Sequence, residues 1–407
     1  MPSTVQVATG GSFQFSINIV PAGASNAVIW SLSGAGCSGA SCGTINNNGR
    51  YLAPASAPNP PTIAVIAASV VDQNVSGTAS VSITAAPPPQ PMGNFSAIGN
   101  MTVARAGHTS TLLPDGRVLI AGGSGLSAEL YNPGTRTFAP TGNMLDSGSF
   151  GVLLPDGRAL FVGSTSAQLY DPAKGTFVPT GGMILKQPVR TATLLANGKV
   201  LVAGDTDAEL YDPVSGSFAA TGTYVDSNPQ WDTATLLANG TALLAGCAAQ
   251  CNAGVAELYD PQSGRFSVTG ARQAWLTMST ATLLINGKVL FVEANDSEFP
   301  DDAEIYDPTA GKFTHIGYTS QVHEFSTATR LSDGKVLVAG GQLAGGDGNP
   351  GTELYMPATG TFVFAANMVI GRHSHSATLL RDGTVLITGG YSIWPQPSSS
   401  AEIYKPQ

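Results

Sequence analysis

The chain has 407 residues, enough for two domains, and a formal net charge of −9, the wrong sign for a nucleic-acid partner. Only 11% of residues are charged while 49 are Gly and 27 are Pro. That balance disfavours helices and suits many short strands joined by tight turns; no run approaches the roughly 18 apolar residues of a membrane-spanning helix.

Met1-Pro-Ser-Thr-Val lacks the basic start and apolar core of a secretion leader. Either the protein is cytoplasmic or the sequence begins after a removed leader, and the four cysteines favour the second reading. Cys37 and Cys42 stand in Gly-Cys-Ser-Gly-Ala-Ser-Cys-Gly, and Cys247 and Cys251 in Cys-Ala-Ala-Gln-Cys. Close pairs in Gly/Ala/Ser-rich loops fit local disulfides of an extracellular or surface protein. Metal binding is the rival reading, though neither pair has a nearby His or a second Cys pair.

Residues 1–85 carry short β-branched segments: Val5-Gln-Val, Phe13-Gln-Phe-Ser-Ile-Asn-Ile, Val28-Ile-Trp-Ser-Leu, Ile63-Ala-Val-Ile-Ala-Ala-Ser-Val and Ala79-Ser-Val-Ser-Ile. Gly, Pro, Asn and Ser clusters separate them, which predicts a small β-sandwich with Trp30 in its core. Ala27-Val-Ile-Trp-Ser-Leu-Ser-Gly, Gly43-Thr-Ile, Gly49-Arg-Tyr-Leu-Ala-Pro and Val81-Ser-Ile-Thr resemble bacterial Ig-like (BIG-type) domains. That resemblance implies a spacer or adhesive module. A Pro-rich linker of extended backbone follows at residues 86–93.

From residue 94 a repeat takes over. Its turn glycine recurs at Gly116, Gly157, Gly198, Gly240, Gly287, Gly334 and Gly383, at spacings of 41 to 49 residues. A strand-like repeat in this range predicts a propeller or solenoid. Each copy reads as four strands. A Thr-Leu-Leu strand leads through Asp-Gly or Asn-Gly, read as a two-residue hairpin with both positions at positive φ, into Lys-Val-Leu-Val-Ala-Gly. Ala-Glu-Leu-Tyr follows, then Asp-Pro-x-x-Gly and a strand at Phe.

Seven tyrosines, Tyr131 to Tyr404, occupy the third strand, but only six phenylalanines follow seven residues later. The missing strand is at the other end: Phe95-Ser-Ala-Ile-Gly-Asn-Met101 matches Phe138-Ala-Pro-Thr-Gly-Asn-Met144. Residues 94–101 should therefore complete the last blade and close a seven-bladed propeller over 94–407, with no open sheet edges. Asp115-Gly-Arg-Val-Leu-Ile-Ala-Gly-Gly123 and Asp333-Gly-Lys-Val-Leu-Val-Ala-Gly-Gly341 resemble kelch repeats of the galactose-oxidase central domain. Such propellers host oxidases, lyases, epimerases and binding proteins, so the resemblance speaks to fold more than to function.

Spacing locates the functional face. From turn glycine to third-strand tyrosine the count is 15, 13 and 13, then 19, 19, 21 and 21. The extra residues enter the loops between the second and third strands of blades 4 to 7. These loops share a face with the crossovers between blades, and loops on a rigid scaffold carry function. The residues there that depart most from the repeat are Arg105, His108, Arg190, Trp231, Asp232, Trp275, His323, Glu324, Arg372, His373, His375, Tyr391 and Trp394.

The histidines have three readings: polar caps on strand starts, ligand contacts, or a metal site of His108, His323 and His375 with Glu324. The loop with Glu293, Asp296, Glu298, Asp301 and Asp302 is either a solvated acidic loop or a set of hard ligands for Ca²⁺. The galactose-oxidase resemblance implies a Tyr-His pair, a second His and a Tyr crosslinked to Cys. Gly107-His108 and Ser374-His375 have no such tyrosine, so copper-radical chemistry and other cofactors are not expected. No nucleophile elbow, phosphate loop or His-Glu-x-x-His stands in the chain. Trp231, Trp275, Tyr391 and Trp394 suit stacking on sugar rings, or anchoring loops against a neighbouring blade.

Together these features predict a secreted or surface binding protein for a glycan or protein ligand. A polysaccharide-active lyase or hydrolase using His323, His373, His375 and Arg372 is the first alternative. A structural subunit self-assembling through the Ig-like module is the second.

Overall fold

The computed structural model describes all residues except 1, 18–26, 73, 85–91, 148–149, 165, 186, 227–228, 249–252, 273–279 and 294–300. The chain divides into two compact units, Met1–Gln90 and Pro91–Gln407.

The first unit pairs a four-stranded sheet with a three-stranded one. The larger sheet orders Thr4–Ala8, Ser76–Thr84, Thr62–Ser69 and Val28–Ser33; the smaller orders Ser12–Gln14, Arg50–Leu52 and Thr44–Ile45. Alternation buries one face of each: Ile63, Val65, Val81 and Ile83 meet Phe15 and Tyr51, with Trp30 packed against them. Cys37 and Cys42 form a disulfide.

In the second unit the described residues form seven four-stranded antiparallel sheets, here blades 1 to 7. Their first strands are Thr109–Leu112, Phe150–Leu153, Val189–Leu194, Gln230–Leu236, Thr280–Leu283, Thr327–Arg330 and Ser376–Leu379. Each first strand touches the next, and that of blade 7 touches that of blade 1, so the sheets stand in a ring around an axis. This is a β-propeller. Asn94–Ala97 pairs with Ala401–Lys405 as the outer strand of blade 7, with Phe95 opposite Tyr404. The closing strand therefore spans the first half of the expected 94–101. Met92 already belongs to this unit, since its carbonyl accepts from the Tyr404 hydroxyl at 3.0 Å.

The core lies between blades. Second strands such as Val118–Ala121 and Val200–Gly204 are buried throughout, as expected of strands covered on both faces. Leu160 and Val162 of blade 2, for example, pack on Val200, Val202 and Tyr211 of blade 3. Tyrosine and phenylalanine of each repeat are cross-strand partners with ring centroids 4.8–5.2 Å apart. The phenol then reaches the preceding blade: Tyr170, Tyr211, Tyr259 and Tyr306 meet Thr141, Thr180, Thr221 and Thr269 at 2.7–2.8 Å. Glycine follows each of these threonines because a Cβ at Gly142 would lie 2.5 Å from the Gly175 carbonyl.

The hairpin turns differ from expectation. In Pro114-Asp115-Gly116 only the glycine has positive φ, 91°. Leu113 bonds both Gly116 and Arg117, closing a three-residue loop. The aspartate stays at negative φ because its carboxylate accepts the Arg117 amide at 2.9 Å, which stabilises a turn followed by a glycine bulge over a two-residue loop.

Candidate functional site

Every third strand carries a carboxylate or amide two residues before its tyrosine: Glu129, Gln168, Glu209, Glu257, Glu304, Glu353 and Glu402. All seven are at most 3% exposed. A charge buried this deeply needs compensating donors, and it finds them in the crossover entering the same blade. Amides of Thr102, Ile184, Val225 and Val369 donate to Glu129, Glu209, Glu257 and Glu402 at 2.7–3.1 Å. In blade 2 the Gln168 side chain does the same, accepting from Leu145 and donating to the Asp146 carbonyl. This residue anchors the loop face to the scaffold. Its signal was an acid, or in blade 2 its amide Gln168, at every copy of a position that is otherwise core.

In blades 6, 7 and 1 a buried cationic-type side chain joins the anchor, always eleven residues before the turn glycine. Arg105 Nη2 lies 3.0 Å from Glu129 and Arg372 Nη2 2.7 Å from Glu402, all four side chains at most 1% exposed. Their Nη1 atoms donate to the Gly122 and Gly389 carbonyls. His323 makes the same two contacts, with Gly340 at 2.6 Å and Glu353 at 3.1 Å. Both ring nitrogens of His323 thus face oxygen atoms, the Gly340 carbonyl and the Glu353 carboxylate. Burial raises the Glu353 carboxyl, but His323 and the Ser320 donors outweigh it and leave the group below its ordinary range.

Arg105, Arg372 and His323 therefore spend their polar atoms inside the protein. Arg190 pairs with Asp205. Trp231 is 2% exposed and packs edge-on to Tyr224 at 5.3 Å, the loop-anchor alternative. Asp232 lies 3.6 Å from Arg272, a buried arginine that sequence reading passed over. Glu324 is half-buried, with its carbonyl accepting the Gln342 amide.

His108 and His375, at one repeat position, turn Nε2 to the Thr388 and Thr327 hydroxyls at 2.9 and 3.0 Å. Burial first, then nearby arginines, push His108 down to about 3 and His375 well below the ordinary range, so both are neutral. Asp301 is fully buried and accepts the His323 amide, while Asp302 faces His315 at 3.0 Å. Trp275, Cys251, Asp296 and Glu298 lie outside the described residues; Cys247 is disulfide-bonded.

One group of candidates does come together at an accessible place. Tyr391 and Trp394, in the long loop of blade 7, meet edge-to-face at 4.7 Å. His373 lies 5.2 Å from Tyr391 and 6.2 Å from Trp394. Phe325 closes the group 6.0 Å from His373. His373 is buried, whereas Trp394 is 55% exposed. Backbone bonds hold the ledge from three sides: His373 and Tyr391 exchange N–H···O bonds, Gly348 bonds Ser392, and Gly341 bonds the Arg372 carbonyl.

Beneath the ledge the backbone is strained. Phe325 and Ser374 have φ of 55° and 51°, and Gly107 at the same repeat position has 63°. Ser374 donates its amide to Phe325 O and Gly107 to Ser374 O, linking blades 6, 7 and 1 at one end of the ring. Left-handed backbone at a bulky residue is uncommon and clusters at functional sites. Sequence reading missed Phe325 and Ser374, since neither type signals its backbone.

No family model and no curated protein matches the chain. Among solved structures it is similar to a fungal alcohol oxidase of the AA5 family, determined in complex with copper, at TM-score 0.66 and 18% identity over 77% of this chain and 76% of that one. It is also similar to a streptogramin B lyase at TM-score 0.58 and 11% identity over 77% of this chain and 98% of that one. These likenesses concern the fold, a galactose-oxidase-like propeller. Among the described residues the donor set does not fit a copper ion. Among the described residues no three His, Cys, Asp or Glu side chains are placed to hold a metal, the Nε2 atoms of His108 and His375 are taken by hydroxyls, and Cys247 is in a disulfide.

Proposed function

We propose that the protein is an exported binding protein that engages a glycan through the mouth of the ring at blades 6, 7 and 1. The supporting observation is Trp394, a large indole left 55% exposed yet held on Tyr391 by backbone-stapled loops. An exposed aromatic face on a rigid mount suits the C–H face of a sugar, because little side-chain entropy is lost on binding. The arginines of this mouth, Arg105 and Arg372, are consumed by internal pairs. Recognition there rests on stacking and neutral hydrogen bonds, so a neutral glycan fits better than a polyanionic one. The Cys37–Cys42 disulfide accords with an extracellular setting, with the N-terminal sandwich as an Ig-like spacer.

A glycan array followed by calorimetry tests this reading. Trp394→Ala should lose at least tenfold in affinity for the glycan that wild type selects, with an unchanged melting temperature. No hit on the array, or equal binding by the variant, would sink it.

A further inference from the structure

The strained turn beside the ledge places a serine against a histidine. His373 Nε2 lies 3.1 Å from the Gly346 carbonyl, which can only accept, so Nε2 carries the ring proton. Nδ1 is then an acceptor, and the Ser374 hydroxyl 3.1 Å away donates to it. Burial keeps His373 below the ordinary histidine range despite the opposing Gly346 carbonyl, so the ring is neutral and able to take a proton at neutral pH. Ser374 itself is half-buried, on a left-handed turn whose carbonyl and amide are both tied to neighbouring blades. The amide of the next residue, His375, makes no hydrogen bond among the described residues.

A nucleophile bonded to a base, a base oriented by a third group, and a strained turn presenting the hydroxyl are the relations of general-base nucleophilic catalysis. We propose that Ser374 is the nucleophile and His373 the general base of an ester-hydrolysing site, acting on O-acyl esters that reach the mouth of the ring. Ser374 Oγ bonds to the ester carbonyl carbon as its proton passes to His373 Nδ1. The carbonyl oxygen becomes an oxyanion for which the His375 amide is the free donor. On collapse the C–O bond to the alcohol breaks and His373 returns the proton to the departing oxygen. Water, deprotonated by the same Nδ1, then cleaves the acyl-serine, giving acid and alcohol and restoring both residues. The site goes beyond glycan binding and does not require it, since the acyl-bearing molecule need not be a sugar.

The test is reaction of the full chain with a fluorophosphonate, peptide mapping of the adduct, and p-nitrophenyl acetate hydrolysis. Wild type should carry the label on Ser374 and hydrolyse the ester at least tenfold faster than Ser374→Gly, a variant whose residue adopts positive φ freely and so keeps the fold. The acid limb of the wild-type pH profile should lie below pH 6.5 and vanish in His373→Gln. An unlabelled Ser374 in the wild-type protein, or equal hydrolysis by Ser374→Gly, overturns the proposal.

Discussion

Blades 2 to 4 and blades 6, 7 and 1 are written in the same repeat but hold their crossovers differently. Blades 2 to 4 meet the buried third-strand acceptor chiefly with backbone amides, at Leu145, Ile184 and Val225, whose side chains stand 50–56% exposed. Blades 6, 7 and 1 add Arg105, His323 or Arg372 from one repeat position. Two residues further on, blades 6, 7 and 1 turn left-handed at Phe325, Ser374 and Gly107. Blades 3 and 4 instead extend their first strands through a bulge at Val189/Thr191 and Trp231/Thr233. A second buried anchor stabilises the crossover enough to carry strained turns, and those turns present side chains at the mouth. The lesson is that the charged exceptions to the repeat act as mounts, and the functional surface is one step removed from them.

The largest expected effect comes from breaking a mount. Arg372→Met removes the cation paired with buried Glu402, leaving it only backbone amides, and should cost about 3–5 kcal/mol in urea unfolding. A loss near that of a surface substitution would mean that Arg372 does not mount the crossover.

Acid should separate the halves next. His108 has a folded pKa of about 3 against an ordinary 6.5. Below pH 6.5 the unfolded chain therefore binds a proton that the folded chain refuses, and stability falls as pH drops from 6.5 toward 3. At pH 5 this amounts to about 2 kcal/mol for His108. His375 acts in the same direction. Glu353, held below its ordinary range, contributes stability that is present above that range and lost as pH falls through its folded value. Urea midpoints at pH 7 and pH 5 should differ accordingly, and His108→Asn should flatten the difference.

In the other half the anchor needs only an acceptor. Glu257→Gln should cost about 1 kcal/mol, because an amide oxygen can still accept from Val225 and Asp226, as Gln168 does in blade 2. A loss as large as that of Arg372→Met would mean that the two halves are anchored alike.

Much of this architecture was legible in the sequence. Periodicity exposed the repeat, and the match of Phe95 to Phe138 exposed the closing strand, because both depend on residue type at fixed spacing. The lengthened loops of blades 4 to 7 were read as the functional face, and the one in blade 7 carries Tyr391 and Trp394. Burial was not legible. Arg105, His323, Arg372 and Trp231 look like loop residues until Glu129, Glu353, Glu402 and Tyr224 are seen opposite them. Nor was backbone conformation at Phe325 and Ser374, which is imposed by hydrogen bonds from other blades.

The smallest effect tests that imposed conformation directly. Ser374 and Trp231 stand nine residues before their turn glycines in blades 7 and 4, the first left-handed and the second in an extended strand. Ser374→Gly removes the Cβ from a backbone that L-residues rarely adopt, a relief of about 1 kcal/mol. It also removes the hydroxyl bond to His373, worth roughly the same. The net change in unfolding free energy should lie within about 0.5 kcal/mol of zero. Trp231→Gly at the equivalent position has no strain to relieve and empties a buried ring from its contact with Tyr224, so it should cost about 3 kcal/mol or more. Equal costs at the two positions would show that the left-handed turn stores no strain, and that the mouth of blades 6, 7 and 1 is held no differently from the rest of the ring.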